Sequence, residues 1–283
     1  MTTPEPSRAT REGASRAHRL LFAAWVVVAT LFVLFPIYLL VMVSVAPGSA
    51  IFGERPALFV TEPTLRFWAR VIERGDLSWP LVKSLAVASA TTLVAVAVAA
   101  PAAYVISRLP AGPRYAVVVG LLVPRMFPEF AIGVSVATRF AQLGLADGYL
   151  GLTLAHLIGS LPFIAWILVG TFEGVPRELE EAAAVDGASR FGVLGRIVAP
   201  AAAPGIAVAA LFVWLYSWNE FLYARLLTTS QNTLPLQVFQ AVDRGAKQQM
   251  AALAAALVVP VLPIVYVLQR YLRPGALAGA VKG

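Results

Sequence analysis

The chain has 283 residues, 59% of them hydrophobic and 13% charged, and a mean hydropathy of +0.77. A water-soluble domain needs far more polar surface, so most of this surface must face lipid or other apolar helices. The lack of cysteine excludes a disulfide framework, a thiolate metal site and a thiol nucleophile. The net charge of +7 reads as a basic cytoplasmic face of a membrane protein rather than a nucleic-acid-binding surface.

Arg8, Arg11, Arg16 and Arg19 lie in a tail over 1–19 and precede an apolar stretch over 20–46. That stretch is too long for a signal-peptide core and lacks a small-residue cleavage pattern, so it is read as a retained first helix. Residues 47–81 form a longer loop in which Leu65, Phe67, Trp68, Val71 and Ile72 have the spacing of a short amphipathic helix at the membrane surface. It serves either as an interfacial anchor or as a platform for an external partner. Further stretches of the roughly 20 apolar residues that a span needs lie at 82–107, 115–141, 149–171, 201–224 and 250–272. Spans of this length satisfy their own backbone hydrogen bonds only as helices, so the fold class is an all-α membrane protein with six transmembrane helices. Residues 82–272 form a five-helix core, 172–200 a loop between the fourth and fifth helices, and 273–283 a tail.

Arg108, Arg114, Arg177, Arg190, Arg196, Arg270, Arg273 and Lys282 share one side with the basic N-terminal tail. The positive-inside rule therefore puts both termini and the 172–200 loop in the cytoplasm.

In the third span, Arg125 and Glu129 stand one helical turn apart beside Pro124 and Pro128. Each charge costs about 2.5–3.5 kcal/mol at mid-membrane, so the two face each other or a polar cavity. His156, alone in the fourth span, reads as a packed, hydrogen-bonded histidine. Gln142 and Asp147 flank a glycine-rich outer turn with no further role assigned. Late in the fifth span come Trp214, Tyr216, Trp218, Asn219, Glu220 and Tyr223, with Asn219 and Glu220 expected near its outer, hydrated end.

The 172–200 loop carries the clearest local signals. Pro176 suits a helix start, and Glu178, Glu180 and Glu181 suit the positive end of its dipole. Ala182, Ala183 and Ala184 propagate the helix with little bulk, and Asp186-Gly187 stops it. Ser189 caps a second short helix, which Pro200 is expected to close.

Glu181-Ala182-Ala183, Gly187 after three intervening residues, then Ile197 and Ala199-Pro200 resemble the EAA loop of ABC-importer permeases, with Ala199 where the pattern has leucine. The resemblance implies a coupling helix that docks in a cleft on an ATPase subunit. Glu181, Ala182, Ala183, Asp186 and Gly187 would form the docking turn, flanked by Arg190 and Phe191. Trp218-Asn219-Glu220-Phe221, Met126-Phe127-Pro128 and the tail 275–283 are similar to segments of the shorter permease subunit of maltose-type carbohydrate importers.

That second resemblance implies a permease in the bacterial cytoplasmic membrane for a sugar or oligosaccharide. It would pair with a second homologous permease, two ATP-binding subunits and an extracytoplasmic solute-binding protein. ATP and magnesium would sit on the partner ATPase. In agreement, this chain has no G-x-x-x-x-G-K-[ST] loop. Arg125, Phe127, Glu129, Trp218, Asn219 and Glu220 are the candidates for the pathway or its gate. An importer for glycerol phosphate or another polar solute is the alternative within the family. An ion-coupled transporter using Glu129, His156 and Glu220 is the alternative outside it, and it leaves the loop unexplained.

Overall fold

The computed structural model describes residues 8–51 and 58–272, and among them every regular element is helical. The tail motif expected over 275–283 lies outside the described residues. Helix α1 (Arg8–Val45) begins well inside the expected N-terminal tail, and its apolar part runs from His18 to Val45. Short helices α2 (Gly48–Ile51) and α3 (Arg66–Glu73) come next, then α4 (Ser78–Ser107). After these are α5 (Ala111–Leu122), a 3-10 turn over Val123–Met126, α6 (Glu129–Gln142) and α7 (Tyr149–Glu173). The loop holds α8 (Arg177–Val185) and α9 (Arg190–Val193), and a π turn over Leu194–Val198 leads through α10 (Ala199–Ala201) into α11 (Ala203–Asn219). Helices α12 (Leu222–Leu227), α13 (Leu234–Asp243), α14 (Lys247–Val258) and α15 (Val261–Leu272) complete the described chain.

Four segments are long and apolar enough to cross a membrane unaided: His18–Val45, Ser78–Ser107, Tyr149–Glu173 and Lys247–Val267. Two more qualify only as pairs of helices bent by 82°, which brings the number of spans to six if each pair counts as one. The third expected span is such a pair, not one helix. Pro128 lacks an amide hydrogen and pushes the residue before it out of the α region, and Phe127 is extended at φ −77°, ψ 147°. Arg125 therefore sits on the 3-10 turn and Glu129 opens α6, where sequence spacing put both on one helical face.

The fifth span is also shorter than expected. Helix α11 stops at Asn219, Glu220 is extended, and α12 starts afresh. Pro200 does not close the second loop helix. The wider π turn just before it accommodates the missing amide hydrogen, and the chain bends at Ala202 instead, ahead of Pro204.

The core is built on α4, α7 and α11. Helix α4 buries Ala88, Ala95, Ala99 and Ala103 along one face, at steps of one or two helical turns, so neighbouring backbones approach closely. At 30 residues it is about 45 Å long. Helices α4 and α7 run parallel: Lys83 near the start of α4 bonds beside Tyr149, while Arg108 just beyond its end bonds Phe172. Helix α11 runs against α7, with Gly205 packed on Thr171 and Ser217 bonded to His156. Between α4 and α7 the bent pair returns from Arg114, ion-paired with Glu173 at 2.7 Å, to the far end at Asp147.

The short helix expected around Leu65–Ile72 forms as α3. Val71 is fully buried and Trp68 Nε1 donates to Ser44 Oγ at 3.2 Å, so its inner face is tied to the bundle while Leu65 and Ile72 stay exposed. Asp147 does more than flank a turn. Its carboxylate accepts from the Thr229 hydroxyl and from the amides of Thr229, Ser230 and Gln231, binding the 228–232 loop to the start of α7. Burial pulls this carboxyl upward, but those donors outweigh it and hold the group well below the ordinary carboxylate range.

The entry to α7 is equally tight: a Cβ on Gly151 would meet the Leu145 backbone carbonyl, which cannot swing aside. Gly151→Ala should therefore cost about 1–3 kcal/mol through overpacking. Thermal unfolding of the purified protein in detergent checks this, with a clear fall in Tm as the expected result.

Candidate functional site

The Arg177–Val193 segment turns two short helices outward at one end of the bundle. Helix α8 ends in a Schellman arrangement: Ala188 N–H donates to Ala183 O at 3.0 Å and Gly187 N–H to Ala184 O at 3.1 Å. That geometry needs the left-handed φ of +84° at Gly187, which explains the glycine. Ser189 caps α9 as expected, its hydroxyl accepting from Gly192 N–H at 3.2 Å. Glu181, Ala182, Asp186, Gly187 and Arg190 all face outward, and Phe191 is 85% exposed. Ala183 does not join them; it turns inward and packs with Val175, Val193 and Val198. Val185, 87% exposed, joins Phe191 in the outward surface. Large apolar side chains beside Glu181, Asp186 and Arg190 form the mixture expected of a protein-contact surface.

The loop is fastened to the spans by a polar clamp. Arg108, just past the end of α4, donates to Phe172 O at 3.0 Å and Val175 O at 3.3 Å and forms an ion pair with Glu180 of α8. Tyr104 Oη donates to the other Glu180 oxygen at 2.6 Å, and Arg177 returns a bond to Arg108 O at 3.3 Å. One guanidinium thus ties α8 to the adjoining ends of α4 and α7, on the side where the basic loops predict the cytoplasm. Glu180 was readable only as a charge near a helix start, because its partner lies 72 residues away.

Further along the spans lies a cavity of about 630 Å3. The 82° break delivers Arg125 and Glu129 to its wall, and α11 supplies Tyr216, Phe212 and Asn219. The two charges do not pair with each other. Arg125 Nη1 donates to Gly159 O at 2.8 Å and its guanidinium lies 5.5 Å from the Phe163 ring and 5.9 Å from that of Tyr216. Glu129 accepts from Tyr216 Oη at 2.7 Å. Gly159 has no side chain because the Tyr216 hydroxyl fills its space. Phe127 lines a smaller cleft beside the same two charged residues. The cavity offers a fixed cation, a fixed anion and aromatic faces, a set suited to polar ring-shaped solutes.

Trp218 does not line this cavity. It is 1% exposed, stacks on Trp214 at 5.0 Å and donates to Leu257 O at 3.2 Å, because residue 218 falls on the α11 face that packs against α14. Glu220 is not at a hydrated outer end either. It lines the cavity wall but is almost wholly buried, accepting from the amides of Tyr223 and Ala224 and contacting His156 Nε2 at 3.0 Å. Ser217 completes the cluster, 2.7 Å from His156 Nδ1. His156 is thus the packed, bonded histidine that its isolation suggested, and Glu220 starts α12 where α11 stops. Glu220→Ala strips partners from a buried imidazole and two helix-start amides, and should cost about 3–5 kcal/mol. Glu220→Gln should cost less, and comparing the thermal unfolding of the two variants checks the ranking.

The family model for the binding-protein-dependent transport system inner membrane component matches residues 13–277. A putative ABC transporter permease protein, ORF1, of Streptomyces antibioticus is 38% identical over 78% of this chain and 98% of its own length. The trehalose/maltose transport system permease protein MalG of Thermococcus litoralis is 31% identical over 94% of this chain and 97% of its own. A chain in the crystal structure of a bacterial ABC transporter involved in import of the acidic polysaccharide alginate superposes with a TM-score of 0.74. The match covers 96% of this chain and all of that one at 21% identity, which shows the shared fold. With the family model spanning nearly the whole sequence, this chain belongs to the binding-protein-dependent transport system inner membrane components, the permease subunits of ABC transporters.

Proposed function

We propose that this chain is a permease subunit of an ATP-driven importer for a sugar or oligosaccharide. It forms half of the pathway beside a second, homologous permease. It takes substrate from an extracytoplasmic binding protein and docks through the α8–α9 turn on separate ATP-binding subunits, which hold the ATP and magnesium. Both termini and the loop lie on the cytoplasmic side, in keeping with the arginines at 108, 114, 177, 190 and 196.

The observation that carries this reading is the outward-facing Glu181–Phe191 surface mounted on the Arg108–Glu180 clamp. A partner gripping that surface pulls directly on the ends of α4 and α7, which pack on the helix bearing the cavity's Tyr216 and Asn219. The sugar assignment draws on the substrate named for the Thermococcus litoralis relative and on the aromatic and hydrogen-bonding lining of the cavity. Glu129, His156 and Glu220 are engaged with Tyr216, Ser217 and helix-start amides, which does not favour a proton route through them.

Two measurements test the two halves of the reading. Glu181→Lys and Gly187→Pro should each lower ATP-driven sugar uptake by about tenfold or more, through charge reversal or loss of the turn at the docking surface. Their amount in the membrane should not change, and normal uptake by both variants would sink the docking assignment. Arg125→Ala should raise the substrate concentration for half-maximal uptake by about tenfold, the worth of a charged hydrogen bond. An unchanged concentration dependence and substrate range would leave Arg125 a purely structural role.

A further inference from the structure

At the end of α4 and α7 opposite the α8–α9 loop lies a second cavity, of about 580 Å3, within the roughly 300–1,000 Å3 of small-molecule sites. The pathway at Arg125 makes no use of it. Its floor holds Lys83, only 2% exposed yet opening onto this space. The ammonium has three hydrogens. Two are donated, to Gln231 O at 2.6 Å and Asp147 O at 3.0 Å, and the third has no protein acceptor among the described residues. A desolvated ammonium with a spare donor calls for an oxygen ligand.

The walls are equally prepared. Asn232 Nδ2 donates to Gln237 Oε1 at 2.8 Å and Gln240 Oε1 at 3.0 Å, and Gln237 Nε2 donates to Asp76 Oδ1 at 2.7 Å. This chain of amides is held rigid while leaving Asn232 Oδ1 and the Gln240 amide hydrogens for a guest. Tyr149 and Trp79 add aromatic surface, Trp79 being 74% exposed at the rim. The charges balance: Lys83 and Arg244 at the wall are matched by Asp76 in it and Asp147 behind it. A neutral ligand with many hydroxyls and a ring face satisfies all of these features at once. A carboxylate would add an unbalanced charge.

We propose that this recess, built by Lys83, Asn232, Gln240, Tyr149 and Trp79, is a carbohydrate-binding site for a neutral sugar unit, separate from the membrane cavity at Arg125. The choice of sugar probes rests on the importer reading. On that reading the recess opens to the extracytoplasmic side, where it holds a sugar ring before the ring enters the spans.

The test uses the full importer complex in lipid nanodiscs, without binding protein or nucleotide, titrated calorimetrically with maltose, trehalose and cellobiose, and with glucuronate as the charged comparison. At least one neutral disaccharide should bind saturably, and glucuronate should bind no more tightly. Trp79→Ala and Gln240→Ala, both at positions that do not hold the core, should each weaken that binding by about tenfold. Saturable binding that neither variant alters would put the sugar elsewhere and overturn the proposal. So would variants that lose affinity for the binding protein alone, which would make the recess a protein socket. ATP-driven uptake of the same sugars is measured in parallel. Uptake without any nucleotide-free binding overturns the recess and leaves the importer reading intact. Uptake of a non-carbohydrate solute, with neither uptake nor binding of any sugar, overturns both.

Discussion

The close approach of α4, α7 and α11 is the constraint on which the remaining features depend. In lipid no hydrophobic effect drives helices together, so contact area and small side chains must do it. The alanines of α4 and the glycines at 159 and 205 bring three backbones close enough for side chains to lock across them. His156 reaches Ser217 and Glu220, Tyr216 fills the space over Gly159, and Arg108 reaches the carbonyls at the end of α7. Widening any of these contacts would leave buried polar groups without partners, adding about 1–3 kcal/mol per group to the loss of packing.

On that rigid frame the chain places its irregularities where solutes or partners can use them. Backbone breaks at membrane depth are tolerated only where they are buried in protein or line a cavity. The break at Phe127-Pro128 lines one, and it delivers Arg125 and Glu129 to the same wall from two differently directed helices. The break at Glu220 is satisfied from within, because the carboxylate itself accepts from the first amides of α12. The bend at Ala202 lets the loop helices lie across the end of the bundle while α11 runs along it. In each case a proline or a buried carboxylate accounts for the geometry.

Both ends of the α4–α7 pair are closed by one buried or half-buried cation that bonds to backbone carbonyls. Arg108 does so beside the α8–α9 loop and Lys83 beside the recess at the opposite end. The two ends differ in what remains open. Arg108 is held by Glu180 and the carbonyls of Phe172 and Val175, and the hydrogen it leaves without a partner among the described residues, on Nε, is sealed in the protein, whereas Lys83 opens onto a polar recess. That difference fits a mechanical joint at one end and a ligand site at the other.

Sequence alone determined the helical class, the approximate positions of the spans, the short helix of the 172–200 loop and its stop at Gly187. These arise from local chemistry: apolar run length, capping residues, and a glycine whose φ of +84° is a property of the turn itself. The tertiary structure alone decided which side chains meet. Trp218 and Ala183 belong to motifs, yet face the core, because helix facing depends on what the neighbouring helix presents. Arg125 and Glu129 look like an intrahelical pair until Pro128 turns the chain by 82° and each finds another partner. Glu180 acquires its meaning from Arg108, Asp147 from residues 229–231, and Lys83 from the loops it joins. Those contacts span dozens of residues, and no local pattern encodes a partner that only the packing of α4, α7 and α11 brings within reach.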